Sequence, residues 1–104
     1  MEGRKHTRYA VQLPVSFSGD QVSDGGTIVN LSAEGCAIMS DTVVGDAVYV
    51  QLKMQLRERE EPVQIELAVV RWSSAKRFGV EFIKIRSQEG ERLKNFVKAL
   101  ESTI

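Results

Sequence analysis

Two groups of residues in this chain carry chemistry beyond what packing requires. The first is Arg4 and Arg8, an R-x-x-x-R pair near the N-terminus. A guanidinium presents a planar fork of donors that binds phosphate bidentately, grips the O6/N7 edge of guanine, or stacks on a base. Two of them four residues apart converge on one ligand if the segment coils, or bracket a larger one if it stays extended. The plainer reading is a solvated basic terminus, because arginine recurs along the chain. The second group is Asn30-Leu31-Ser32-Ala33-Glu34-Gly35, an N-x-S-x-x-G run. Asn30 and Ser32 are two apart, so on a strand their side chains emerge on one face and offer an amide and a hydroxyl to a base edge or a phosphate oxygen. Gly35 permits a positive φ, or lets backbone come close to a ligand. Here the plainer reading is a turn built from turn-forming residues.

Other chemistry finds little to work with. The single histidine, His6, sits in the polar N-terminal segment, where nothing holds it against a nucleophile. One histidine and one cysteine are too few for a metal centre, and neither a P-loop nor a Rossmann glycine fingerprint is present. The expectation is a protein that is not an enzyme and carries neither metal nor cofactor.

Composition narrows the class further. The 104 residues fit one domain, and 42% hydrophobic content supports a core without disulfides or metals. Fourteen basic and fourteen acidic residues give a net charge of zero, which speaks against a general DNA, RNA or membrane-surface binder. The lone cysteine, Cys36, excludes an internal disulfide and suits a reducing compartment. No apolar run approaches the roughly 20 residues of a membrane helix. The first residues lack the apolar segment of a secretory signal, so a cytoplasmic protein is expected.

The elements that must position these residues are mostly strands. Residues 1–9 read as a flexible cationic arm, and residues 10–104 as a single domain. Val11, Leu13, Val15 and Phe17 alternate with polar or small residues, the period of a half-buried strand. Pro14 within that run places the strand at an edge or beside a bulge. Ser23-Asp24-Gly25-Gly26 predicts a turn. Strands are predicted at Thr27–Leu31 and Cys36–Met39, then a turn at Val43–Asp46. A long strand follows over Val48–Leu56, with a charged hairpin tip at Arg57–Pro62. Val63–Trp72 and Phe78–Phe82 supply the last two strands. From Ser87 the spacing becomes helical through Leu93, Phe96, Val97 and Leu100, predicting a helix over about 87–101 with Ser87 as its N-cap. Six short strands with Gly-rich turns favour a closed barrel over an open sheet.

Taken in order, the arginine arm, the N-x-S-x-x-G run one strand later, Gly45-Asp46, Val69-Val70-Arg71-Trp72, Phe78-Gly79-Val80-Glu81-Phe82 and the closing helix resemble the PilZ domain family along the whole chain. The resemblance implies a mainly β fold, a six-stranded antiparallel β-barrel of split-barrel type with a C-terminal α-helix. It also implies a receptor for cyclic di-GMP, a bacterial second messenger, that passes the signal to an effector protein. By the same resemblance Arg4 and Arg8 contact phosphates and guanine, while Asn30, Ser32 and Gly35 hold the other side. Lys5 adds charge for a phosphate, and His6 is a bystander. Gly3 stands where many family members carry a further arginine, which points to one ligand molecule rather than a stacked pair. Trp72 stacks a base at the rim of the site or serves packing. The alternative is a PilZ-like interaction adaptor that binds no nucleotide, and the chain is a monomer or homodimer on either reading.

Overall fold

In the computed structural model, residues 7–102 are described. Six strands and one helix follow in order: β1 (Tyr9–Ser18), β2 (Ser23–Leu31), β3 (Gly35–Met39), β4 (Tyr49–Met54), β5 (Val63–Ser74), β6 (Arg77–Lys84) and α1 (Ser87–Ser102). The strands close into an antiparallel barrel in the order β1-β2-β3-β6-β5-β4, with β4 returning to β1. The six-stranded barrel and terminal helix implied by the resemblance are thus present.

Alternation along the strands fills the interior. Phe17, Ile28, Leu31, Cys36, Ile38, Leu52, Ile65, Val70, Phe78 and Val80 point inward and are almost wholly buried. Phe17 and Phe78 meet edge-to-face, with centroids 5.1 Å apart and planes at 79°, an arrangement that adds about 1 kcal/mol to simple burial.

Pro14 fits this closed barrel for a local reason. Beyond Val15 the β1–β4 ladder ends, and Gln55 N–H donates to Pro14 O at 2.9 Å. A strand residue's N and O face the same neighbour, so the missing N–H lies where pairing with β4 has already stopped. The register of β1 against β2 also shifts between Ala10 and Leu13. Of the two expectations for this proline, the neighbouring bulge is found and the edge is not, since β1 pairs with both β2 and β4.

Three local expectations need correction. Ser23–Gly26 is not a turn but the first part of β2, with Gly25 opposite Ser16 and Gly26 opposite Val15. The turn lies earlier, where Gly19 N–H donates to Val22 O at 2.7 Å. Gly26 serves close approach instead: a Cβ there would sit 2.5 Å from Met39 O on β3. The strand expected over Val48–Leu56 is limited to Tyr49–Met54. At one end Ala47 adopts φ 65° and Val48 O accepts from Val70 N–H; at the other, the Gln55 side chain donates to Arg57 O and Glu60 O, both at 2.7 Å. Helix α1 starts at Ser87 itself, with Gly90 N–H donating to Arg86 O, so Arg86 and not Ser87 holds the capping position.

Leu93 and Phe96 bring α1 into the barrel core. The Glu89 carboxylate accepts from Gln64 N–H of β5 at 2.7 Å and pairs with Arg92 at 3.1 Å. That backbone hydrogen bond, reinforced by Arg92, holds the Glu89 carboxyl below the usual carboxylate range. At the far end of the helix, Tyr9 OH donates to Glu101 Oε2 at 3.3 Å. No helix among the described residues is long and apolar enough to cross a membrane.

Candidate functional site

The start of β1 pairs with the end of β2, Tyr9 opposite Leu31 and Ala10 opposite Asn30. That register delivers Arg8, the residue just before β1, to Asn30. The Arg8 guanidinium donates through Nη1 to Asn30 Oδ1 at 3.2 Å, across 22 residues of sequence. Asn30 faces outward because the β2–β3 register shifts between Ile28 and Asn30. The irregularity keeps both Ile28 and Leu31 in the core, three residues apart, with Asn30 left outside.

Between β2 and β3 the chain makes a tightly bonded turn. Ser32 N–H donates to Gly35 O at 2.9 Å, and Glu34 N–H donates to Ser32 Oγ at 3.1 Å. The Ser32 hydroxyl in turn donates to Gly35 O at 3.4 Å, and Phe82 N–H ties the turn to β6 through Glu34 O. Ser32 therefore sits one residue beyond β2, buried, with its hydroxyl engaged inside the turn rather than beside Asn30 on a strand face.

Gly35 has no positive φ. Its lack of a side chain serves close approach. A Cβ at 35 would run into Val80 O, and the same position lies 3.3 Å from Arg8 Nη2. Arg8, Asn30 and Gly35 thus come together at one end of the barrel wall, with the exposed guanidinium lying over the glycine. One of arginine's five N–H donors meets Asn30. Beneath them, inside the wall, burial pushes the Cys36 thiol up to about 12, against the opposing pull of the Arg8 charge. Arg4, Lys5 and His6 lie outside the described residues.

The surroundings include residues that the motifs did not reveal. Outward positions of β3 are Gly35, Ala37 and Met39, and β6 sets Glu81 opposite Gly35 and Gly79 opposite Ala37. Glu81 accepts from Arg71 Nε at 2.7 Å and pairs with its Nη2 at 2.6 Å. The period-two spacing from Gly35 and from Gly79 carried that signal, but only the strand order puts the two series side by side. Trp72 lies opposite Gly79. A cavity of about 780 Å³ opens at the other end of the barrel, near Val22, Val43 and Tyr49, and is lined by none of Arg8, Asn30, Ser32 and Gly35. Among the described residues no group of His, Cys, Asp and Glu is arranged to hold a metal ion.

What this arrangement does chemically follows from its parts. It presents a fixed positive guanidinium, an amide with both donor and acceptor, and a side-chain-free approach at Gly35. These are the groups that a planar, anionic, hydrogen-bonding ligand would require.

Comparison with known proteins bears on family and fold. The family model described as PilZ domain matches residues 2–99. No curated protein matches the chain. Among solved structures, the chain is similar to the Bacillus subtilis inhibitor of motility, MotI/DgrA, with a TM-score of 0.78 and 23% identity over 99% of this chain and 53% of that one. It is also similar to the PilZ domain of CeSA from a cellulose-synthesizing bacterium, with a TM-score of 0.70 and 17% identity over 91% of this chain and 98% of that one. The chain thus spans about half the length of the MotI/DgrA chain. At these identities the two structures share the fold.

Proposed function

The chain belongs to the PilZ domain family, and from that premise we propose that it is a cyclic di-GMP receptor that hands the signal to an effector protein. The observation that carries this reading is the meeting of Arg8 with Asn30 and Gly35, two motifs far apart in sequence and joined on the barrel wall. The ligand has two phosphates and two guanines, so it needs what these residues offer: a guanidinium for a phosphate or a Hoogsteen edge, and an amide for a base. Arg4 and Lys5 complete the cationic side. Gly35 gives the ligand access to backbone. Ser32 holds the turn in shape, its hydroxyl keeping one lone pair for the ligand.

Gly3 offers no guanidinium at the place where a further arginine would add one, which favours one ligand molecule per site. Binding reshapes the charge of this end of the barrel, since a dianion settles on Arg8 and on the surface around Asn30. A partner protein reads that change.

Isothermal titration calorimetry with cyclic di-GMP on the unaltered chain and on Arg8→Ala tests the reading. The expected result is saturable binding near one ligand per chain, weakened roughly a hundredfold or more in the variant, because a charge-assisted bidentate contact contributes about 3 kcal/mol. Arg8→Lys keeps the charge but not the fork, and recovers only part of the loss. Absence of heat from the unaltered chain would overturn the receptor reading in favour of an adaptor that binds protein alone. Equal affinity in Arg8→Ala would remove Arg8 from the site.

A further inference from the structure

The end of the barrel remote from Arg8 carries two loops, residues 19–22 between β1 and β2 and residues 40–48 between β3 and β4. The cavity near Val22, Val43 and Tyr49 lies between them. Strand β1 runs from Tyr9, beside Leu31, to Ser18, beside Ser23, so the cavity stands about a strand length, ~30 Å, from the Arg8 site.

Both loops are held in place. Val44 enters the core at 3% exposure and leaves its neighbour Val43 outside at 79%. Ser40 N–H donates to Lys76 O at 2.8 Å, and Ser40 Oγ accepts from Thr42 N–H and donates to Gly25 O, each at 3.1 Å. Further along, Ala47 N–H donates to Val70 O at 2.8 Å, which keeps Ala47 at its positive φ of 65°. The other loop touches the start of β4, since a Cβ at Gly19 would come within 2.7 Å of Tyr49 O. The walls of the cavity are therefore formed before anything binds.

Its lining is apolar within an acidic surround. Val43 and Tyr49, 79% and 58% exposed, are the most exposed large hydrophobic residues described, and both line this one cavity beside half-buried Val22 and Leu67. Such residues scattered singly are ordinary on a surface, but gathered around a cavity they mark a place of contact. The two loops also hold Asp20, Asp41 and Asp46 and neither lysine nor arginine. Asp41 is matched by Lys76 at 3.3 Å. Asp20 and Asp46 are exposed, with no ion-pair partner among the described residues. Asp20 lines the cavity, and Asp46 stands between Gly45 and Ala47, which line it too. A second copy meeting this face through the same face would set aspartates against aspartates, which like charges oppose. A cationic partner would find each of them a counter-ion.

We propose that this cavity is a docking site for a short cationic segment of a partner protein, which places aliphatic or aromatic side chains against Val43 and Tyr49 and lysine or arginine beside Asp20 and Asp46. The inference is independent of the receptor reading, because the cavity shares no residue with Arg8, Asn30, Ser32 and Gly35. Preformed walls keep the ordering cost of binding low. Tyrosine suits the role, offering a large apolar body and a polar tip at a partly wet contact.

A synthetic peptide of alternating lysine and leucine, with its glutamate–leucine counterpart as control, tests the proposal by heteronuclear NMR on the unaltered chain at low salt. The expected result is saturable shifts from the lysine peptide confined to residues 18–22 and 43–51, weakening as salt rises, and none from the glutamate peptide. Asp20→Asn combined with Asp46→Asn should weaken binding about fivefold. Tyr49→Ser or Val43→Ser should weaken it about tenfold. All four side chains are exposed, so the variants keep the fold, which the dispersion of their amide signals verifies. Absence of binding, equal affinity in the variants, or shifts centred on the charged tip at Arg57–Pro62 would overturn the proposal. Shifts at the cavity residues on concentrating the chain without peptide would overturn it in favour of a second copy as the occupant.

Discussion

Arg8 and Ser32, one from each motif, occupy contrasting places in the structure. Arg8 is exposed and meets Asn30 through a single hydrogen bond, so truncating it should cost little stability. Ser32 is buried in the turn that shapes the site, and its loss loosens the backbone that Gly35 and Glu34 share with β6. Cys36, directly inside the wall, behaves as a small apolar residue. Its thiol is fully buried and pushed up to about 12 from an ordinary 9.0. The folded thiol thus keeps its proton where the unfolded one loses it. Its contribution to stability is complete below about pH 9 and is lost as pH rises towards about 12, with a limiting slope of about 1.4 kcal/mol per pH unit. Urea midpoints measured across that range should fall more steeply for the unaltered chain than for Cys36→Ala. Parallel curves would show that the thiol is not shielded.

At the scale of elements, backbone irregularities do much of the positioning. Register shifts in β2 and β5 turn Asn30 and Trp72 outward, and Gly26 and Gly35 let β3 approach its two neighbours. Other irregularities are strained. The β5–β6 hairpin turns through Ala75, held at φ 53° between the paired residues Ser74 and Arg77. An L-residue with a Cβ pays about 1 kcal/mol in that region, a cost that glycine avoids at the expense of a more flexible unfolded chain. Ala75→Gly should therefore stabilise the fold by about 0.5 kcal/mol net, seen as a higher urea midpoint with an unchanged slope. A lower midpoint would mean that contacts of the Ala75 methyl outweigh the strain.

For the molecule as a whole, barrel and helix share one buried core. Leu93 is 2% exposed and belongs to the same cluster as Leu52, Ile65 and Phe78. Glu89 and Arg92 fasten the helix to β5 and the hairpin tip, and Tyr9 meets its last turn from the segment that leads to Arg8. Leu93→Ala should cost about 3 kcal/mol, a large share of the 5–15 kcal/mol typical of a domain. Helix and barrel signals should also be lost together, with far-ultraviolet circular dichroism and Trp72 fluorescence giving coincident transitions. An earlier loss of helix alone would show that α1 is an appendage to a barrel stable by itself.

Much of this was legible in the residues. Alternation at Val11–Phe17 and Val63–Val69 determined strands because one face of each must be buried, and the spacing of Leu93, Phe96 and Leu100 determined a helix on the same ground. The two motifs were legible as residue types able to hold a phosphate and a base. Their meeting was decided only by tertiary structure, because the contact of Arg8 with Asn30 depends on β1 pairing with β2 in one register. The same holds for the misread turn at Ser23–Gly26, where local preference yielded to ladders on both sides. It holds also for Trp72, whose outward direction follows from one inserted residue in β5, a shift that periodicity along a single strand does not carry.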